Sequence, residues 1–584
     1  METKLKDMLS RVYKPGRYTG GETNSVVKEH GPGKVSIALA YPDMYEIGMS
    51  YLGIKILYHL LNERDDVVCE RVFAPWPDME AELRTQGESL FSLETRTPLA
   101  KFDVIGFSLS YELTYTNVLN ILDLSGIPVR SDTRGEGDPI IIAGGASAYN
   151  PEPISPFIDA FLLGDGEEAL PAFLEAYRAL KDGGAGRNDI LRGLARLKGV
   201  YVPSFYRAMH DEAGEFLWLE PCVDGVPRVI ESSRVELENA YYPVKQIVPF
   251  IKVVHDRIAI EVMRGCPNAC RFCQASAVTR PVRLRSPEKV RELCLKTYEN
   301  TGYEQVSLLS LSSVNYPHIG KLAAQLIKDL KPKGIGLSIP SLKIDEAFYE
   351  LPEMISEIRK AGLTFAPETA SDETRKAIGK DLDITVLCRS AEIAYKHGWR
   401  RLKLYFMVGF PGEAEDEAER IISLAKELSE LKKGVSGAPA EVSVSVNPFT
   451  PKPHTPFQWL GMRDRAYLEK VRSRLTGRNT RKVEVEFHDI DQSMLEAALS
   501  RGGRRTAEAV HAAWKAGSRM DSWREHFNYG RWKDAFKTAG LDLEEEASRI
   551  YRPGSPLPWG HILPGYGEEK LAAEFARSGF SPER

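Results

Sequence analysis

The chain has 584 residues, more than one hydrophobic core accommodates, so three or four domains are expected. A net charge of −5 with 43% hydrophobic and 27% charged residues describes an ordinary globular protein and excludes one held to nucleic acid by overall basic charge. No apolar run reaches the roughly 18 residues of a membrane span, and the first residues lack the apolar stretch of a signal peptide. Four of the seven cysteines (Cys69, Cys222, Cys294 and Cys388) are scattered, which suggests no disulfide framework and points to a reducing cytoplasm.

After an extension over residues 1–30, residues 31–181 alternate strand and helix. Apolar runs at 34–42, 104–109, 139–143 and 161–164 read as buried parallel strands. Helical patterns follow at 51–62 and from Asp165-Gly166-Glu167-Glu168 onward. This predicts a doubly wound sheet of Rossmann type, with ligands beyond the carboxyl ends of its strands. Residues 182–248 read as a linker with a few short strand-like runs and no assignable chemistry.

A second alternating region spans 249–462. Strands are expected at 258–262, 306–311, 336–340, 363–366, 402–407 and 442–446, separated by helices such as 288–298 and 319–330. Six such units make a partial (β/α)6 barrel with its active face at the strands' carboxyl ends. The first strand delivers Arg264-Gly265-Cys266-Pro267-Asn268-Ala269-Cys270-Arg271-Phe272-Cys273. Spacing of the C-x3-C-x2-C kind arises by chance about once in a thousand chains of this cysteine content. Three thiolates at this spacing hold a [4Fe–4S] cluster and leave its fourth iron open for chemistry.

Residues 463–482 carry eight arginines and lysines against two acids. They read either as a solvated helix face or as a surface for RNA phosphates. Apolar and aromatic residues then recur at helical intervals, so residues 463–584 are expected to form a small helical domain packed on the barrel.

On these motifs residues 249–462 resemble the radical S-adenosylmethionine (SAM) superfamily. The resemblance implies that Cys266, Cys270 and Cys273 bind the cluster and that Phe272 packs near the adenine of SAM. Ser310 and Ser312 end the second strand where the methionine ammonium is met, although the frequent Gly-Gly-Glu is missing. Ser338 and Lys343 flank the third strand's end, and Glu368 is a partner for the sugar or amine of SAM or, alternatively, a helix cap. Lys403-Leu404-Tyr405-Phe406-Met407-Val408-Gly409-Phe410-Pro411-Gly412-Glu413 is similar to the superfamily's fifth-strand signature. Lys403 reads as catalytic or as an ordinary ion-pair partner. His454, in a proline-stiffened loop above the active face, is either a substrate contact or structural.

The N-terminal loops resemble a cobalamin-binding domain, with Asp43-Met44-Tyr45-Glu46-Ile47-Gly48, Ser108-Leu109-Ser110 and Gly144-Gly145 in the order of that family's motifs. Tyr45, Ser108, Gly144 and Gly145 are the cofactor positions it implies. Tyr45 stands where the family has its cobalt-binding histidine, and the intervening segments are longer than usual. A sheet kept only as a scaffold is the alternative. Across most of its length the chain is similar to B12-binding-domain-containing radical SAM proteins, on Lys14-Pro15-Gly16-Arg17-Tyr18, residues 41–50, Phe73-Ala74-Pro75-Trp76 and Trp523-Arg524-Glu525-His526-Phe527. Such proteins are often accompanied by a short radical-SAM-linked domain or partner protein.

The resemblance implies a cytoplasmic enzyme using a [4Fe–4S] cluster, SAM and a cobalamin, with a reductant such as flavodoxin or ferredoxin. It implies methyl transfer to a substrate (RNA, protein or small molecule) that the residues do not identify, and no membrane. Two alternatives stand beside it: radical chemistry without cobalamin, such as methylthiolation or rearrangement, and an electron-transfer or scaffold protein bearing the cluster. No catalytic residue is assigned.

Overall fold

A computed structural model describes residues 2–212, 215–339, 363–380 and 382–582. Lys343 lies outside the described residues, as does the end of the expected third barrel strand at Pro340. The fold is mixed α/β in the expected order of sheet, barrel and C-terminal helices.

The first sheet contains β1 (Val35–Tyr41), β2 (Val67–Phe73), β3 (Val104–Ser108), β4 (Ile140–Gly144), β5 (Ala160–Leu162) and β6 (Val200–Tyr201). Its order is β2-β1-β3-β4-β5-β6, parallel except for β6 at the edge. The 2-1-3-4-5 order is doubly wound, and its switch point lies between β1 and β3. All seven residues of β1 are buried, as a sheet covered on both faces requires.

β2 was not among the strands expected, because Glu70 and Arg71 interrupt its apolar run. Both are buried here and both are matched. Arg71 is held by Glu22 (2.8 Å) and Glu94 (2.6 Å), and Glu70 by His30, Ser92 and Thr95. Paired in this way, a charge tolerates a core position. β6 places the last strand of this sheet beyond residue 181, inside the segment read as linker. That segment also holds the helix Arg187–Leu194, a hairpin of β7 (Tyr206–His210) and β8 (Phe216–Pro221), and β9 (Ile230–Glu231).

The barrel region comprises two parallel sheets. One has β10 (Ile258–Glu261), β13 (Gln305–Leu309) and β14 (Gly336–Ser338). The other has β15 (Leu363–Glu368), β16 (Arg401–Val408), β17 (Glu441–Pro448) and β18 (Val483–Phe487). The six expected strands are all present. β18 adds a seventh, pairing with β17 from Val442↔Val483 to Val446↔Phe487, so the sheet continues past residue 462. Alternate residues such as Leu402, Leu404, Phe406 and Val408 bury themselves under the outer helices. The polar ones between them turn to the other face.

The C-terminal helices, expected on the barrel, are divided between it and the first sheet. Leu495, Val510, Trp532 and Phe536 join one core with β1–β5. Thr116 donates to Asp521 (2.7 Å), Tyr111 to Glu496 (2.9 Å) and Arg504 to Glu152 (2.8 Å). The helix Arg465–Thr476 packs on the barrel sheet through Val471 and Leu475, and the last helix, Glu568–Ser578, also sits on the barrel side, where Phe575 meets Phe457 and Trp459. The basic stretch is largely neutralised: Arg474 and Arg478 pair with Glu419, Arg465 with Asp491 and Glu544, and Lys482 with Glu441. Among the described residues no helix is long and apolar enough to cross a membrane.

Candidate functional site

Two short strands, β11 (Met263–Arg264) and β12 (Arg283–Leu284), pair antiparallel and close the base of a loop over residues 265–282. The loop carries Cys266, Cys270 and Cys273, all free thiols. Burial pushes the Cys270 thiol up to about 11 against the pull of Lys380, and its causes include both other thiols. The Cys273 thiol is also raised by burial, and its sulfur accepts the Ser276 N–H at 3.4 Å. Among the described residues no three His, Cys, Asp or Glu side chains converge on a single metal ion; thiolates on separate irons of a cuboidal cluster do not need to.

The loop is braced from several sides. Its Asn268 carbonyl accepts from Arg280 (2.7 Å) and Ser276 (3.0 Å), and the Asn268 amide donates to Asn315 (3.2 Å) and Ser312 (3.4 Å). The Arg271 N–H donates to the Ile378 carbonyl (2.9 Å). Its guanidinium reaches the carbonyl of Ala377 (2.8 Å) and the carboxylate of Glu574 (3.1 Å). Gly379 has φ +70°, and a Cβ there would stand 2.5 Å from the Ala269 carbonyl oxygen. Only glycine permits that approach.

Glu368 ends β15 beside this loop. It has φ +70° and marks a register shift in the β15–β16 ladder, a backbone state that costs a non-glycine residue about 1–3 kcal/mol. Burial raises its carboxyl pKa, with Lys380 opposing at 3.2 Å, and its charge is felt at Cys270 and Cys273. It does not cap the next helix. Ser371 does so, accepting from the Thr374 N–H.

A cavity of about 520 Å³ connects this mouth to the first sheet, within the range of cofactor and small-molecule sites. Its barrel side is Met263, Arg264, Gly265, Leu309, Ser310 and Leu311. It then runs between the sheet face (Leu39, Gly106, Ser108, Ile142, Gly144) and the helices bearing Gly53, Ile56, Gly166 and Leu170. The slot thus enters the domain itself. Tyr51 and Leu311, both partly exposed, stand on its wall.

Of the residues named from sequence, Ser108, Gly144, Gly145 and Ser310 line this cavity. Ser312 and Glu368 stand by the cysteine loop, and Ser338 ends β14. Phe272 packs on the cluster of Ile378, Phe410, Phe449 and Phe457. Tyr45 stands apart from these residues. It is buried against Phe73, donates its hydroxyl to Glu22 (2.8 Å) and is not part of the cavity wall. His454 is structural: its Nε2 meets the Tyr149 carbonyl at 2.8 Å in the core. Lys403 lies over the Tyr405 ring at 4.9 Å. Sequence reasoning missed Asp165, Glu167, Glu261 and Arg264, a charged cluster on the cavity wall. Arg264, two residues from Cys266, was the available signal.

Two family models match this chain. Residues 260–425 match the radical SAM superfamily, and residues 53–203 match the N-terminal region of radical SAM proteins. An uncharacterized protein of Methanocaldococcus jannaschii is 25% identical over 80% of this chain and 88% of its own length. The tRNA-2-methylthio-N(6)-dimethylallyladenosine synthase of Clostridium botulinum is 27% identical over 32% of this chain, which spans under half (45%) of that relative. The radical SAM methyltransferase TsrM of Kitasatospora setae, solved with cobalamin and a [4Fe–4S] cluster, aligns over 73% of this chain and 74% of its own at 13% identity, with a TM-score of 0.47.

Proposed function

We propose that this chain is a radical SAM methyltransferase that binds a [4Fe–4S] cluster at Cys266, Cys270 and Cys273, SAM beside Ser310, Ser312, Ser338 and Glu368, and a cobalamin in the cavity. The observation that carries this reading is the slot itself, which starts at the barrel mouth by the cysteine loop and continues between the first sheet and its helices. Bound there, the cluster would supply one-electron reduction of SAM and the cobalamin would supply a methyl donor.

The chain's own residues hold and shield. Gly144 and Gly145 bring backbone rather than side chain to the cavity wall. The burial of Tyr45 leaves no side chain at that position to bind cobalt from below. The packed loops and apolar walls keep water from a reactive radical. Glu368 and Lys380 form an ion pair beside the thiols, placed to meet the polar groups of SAM. A flavodoxin- or ferredoxin-type reductant is the electron source this chemistry requires.

A second reading, radical chemistry without cobalamin, is favoured by Asp43. That residue of the cobalamin-like motif is taken by Trp523 (2.9 Å) and Ser522 (3.2 Å) of the chain itself. Anaerobic reconstitution with iron, sulfide and hydroxocobalamin, followed by gel filtration, separates the two. One cobalt and about four irons per chain, with 5′-deoxyadenosine on reduction in the presence of SAM, is the expected result. Iron without cobalt moves the assignment to the second reading. No iron at all refutes both.

A further inference from the structure

We propose that Asp165, in the loop after β5, is a positioning residue for the cysteine loop, its one carboxylate holding both ends of that loop and fixing it to the cavity wall. The inference rests on the reading above that the three thiols bind a [4Fe–4S] cluster.

The geometry begins with an unfavourable pairing. Arg264 and Arg283 stand directly opposite each other on the β11–β12 ladder, and like charges in that relation repel. Asp165 lies between them. Its Oδ1 is 3.1 Å from Arg264 Nη1, and its Oδ2 binds Arg283 Nη1. Oδ2 also accepts the Val235 N–H at 3.0 Å. Asp165 precedes the helix Gly166–Asp182, where a carboxylate commonly caps the first turn, yet it makes no such bond. Its oxygens serve the loop instead.

The two arginines depend on it unequally. Arg264 has further carboxylates, Glu167 at 2.6 Å and Glu261 at 2.8 Å. Among the described residues Arg283 otherwise donates to carbonyls, those of Val235, Thr279 and Pro281. Without Asp165, Arg283 is a half-buried cation facing another across the base of the loop.

The anchor is also stiff. Gly164 has φ +104°, and a Cβ there would lie 2.1 Å from the Ser233 carbonyl oxygen. Gly164, Asp165 and Gly166 all line the cavity. A shift of the cavity wall is thereby passed to Arg264, two positions before Cys266, and to Arg283, ten positions after Cys273.

The test uses the full chain as Asp165→Asn, Arg283→Gln and the double variant, each reconstituted anaerobically with iron and sulfide. Iron per chain is measured after gel filtration, together with the electron paramagnetic resonance spectrum of the reduced cluster with and without SAM. Asp165→Asn should retain at least about fivefold less cluster and show an altered SAM-induced spectrum, since it leaves a buried charge unpaired. Arg283→Gln should stay within about twofold of the parent. The double variant should recover most of the cluster because the repelling cation is gone. A fully loaded Asp165→Asn with the parent spectrum overturns the proposal, as does a double variant no better than Asp165→Asn. If Asp165→Asn fails to fold, recovery in the double variant decides alone. A parent chain that takes up no cluster refutes the parent reading instead, before any variant is compared.

Discussion

Two loops in this molecule occupy the same architectural place and have opposite fates. One follows β1 of the first sheet, the other follows β10 of the barrel, and both leave the carboxyl end of the first strand in a parallel sheet. The β1 loop is closed by its own chain: Asp43 is engaged by Trp523 and Ser522, Tyr45 by Glu22, and Glu46 by Arg17. In the β10 loop the backbone and the flanking arginines are engaged, while the three cysteines form no disulfide and the loop's Gly265 opens on a cavity. A loop position at a strand end is therefore an opportunity for chemistry. The partners of its side chains decide whether it is used.

The sharpest way to break this comparison is Cys270→Ala. Iron retention should be abolished while the unfolding transition stays within about 0.5 kcal/mol of the parent, as at sites outside the packed core. Retained iron with a broad absorption near 400 nm would contradict the division between the loops.

The next largest effect lies in the closed region. Glu22→Gln removes a charge from Arg71 and weakens the acceptor of Tyr45, and should cost about 3 kcal/mol in urea unfolding, with iron content unchanged. A loss of iron at preserved stability would mean that the two loops are not independent.

Acid should also act on the buried regions. His59, His454 and His561 are buried and neutral, and desolvation holds each near pKa 4. The unfolded chain binds the proton near 6.5, so between pH 4 and 6.5 it carries more protons than the fold. This stabilisation is present above 6.5 and lost on acidification, by about 2 kcal/mol per histidine from pH 7 to 5. Glu413, whose carboxyl is raised to about 7 by burial, has the opposite sign and cancels one of the three. His454→Gln should flatten the measured slope by about 2 kcal/mol; an unchanged slope would show that His454 is not buried as neutral imidazole.

The smallest effect sharpens the comparison most finely. Tyr45→Phe leaves Glu22 one donor short and should cost about 1 kcal/mol, with any corrinoid affinity unaltered. A tenfold change in that affinity would put Tyr45 at the cavity.

The alternation of strand and helix was legible because the buried strands of parallel sheets are continuously apolar, as in β1 and β4. β2 was not, since the partners that neutralise Arg71 lie at Glu22 and Glu94, far from it in sequence. The Val483-Glu484-Val485-Glu486 alternation of β18 was readable, but it follows a basic stretch that drew the eye to charge. The cysteine loop was legible from spacing alone. Tyr45 was assigned from motif order, and only packing reveals that its hydroxyl turns inward. Asp165 and Arg264 sit 99 residues apart, and no local pattern joins them.

The last helix has a consequence for how the protein is made. Glu574 grips Arg271, Tyr566 lies under Arg280, and β19 (Ile562–Leu563) pairs with β9. The cysteine loop thus receives contacts from residues 286 and 303 positions further along the chain, roughly 15–60 s later at ordinary elongation rates. During that interval the loop lacks these contacts, and a chain stopped before residue 562 would never acquire them.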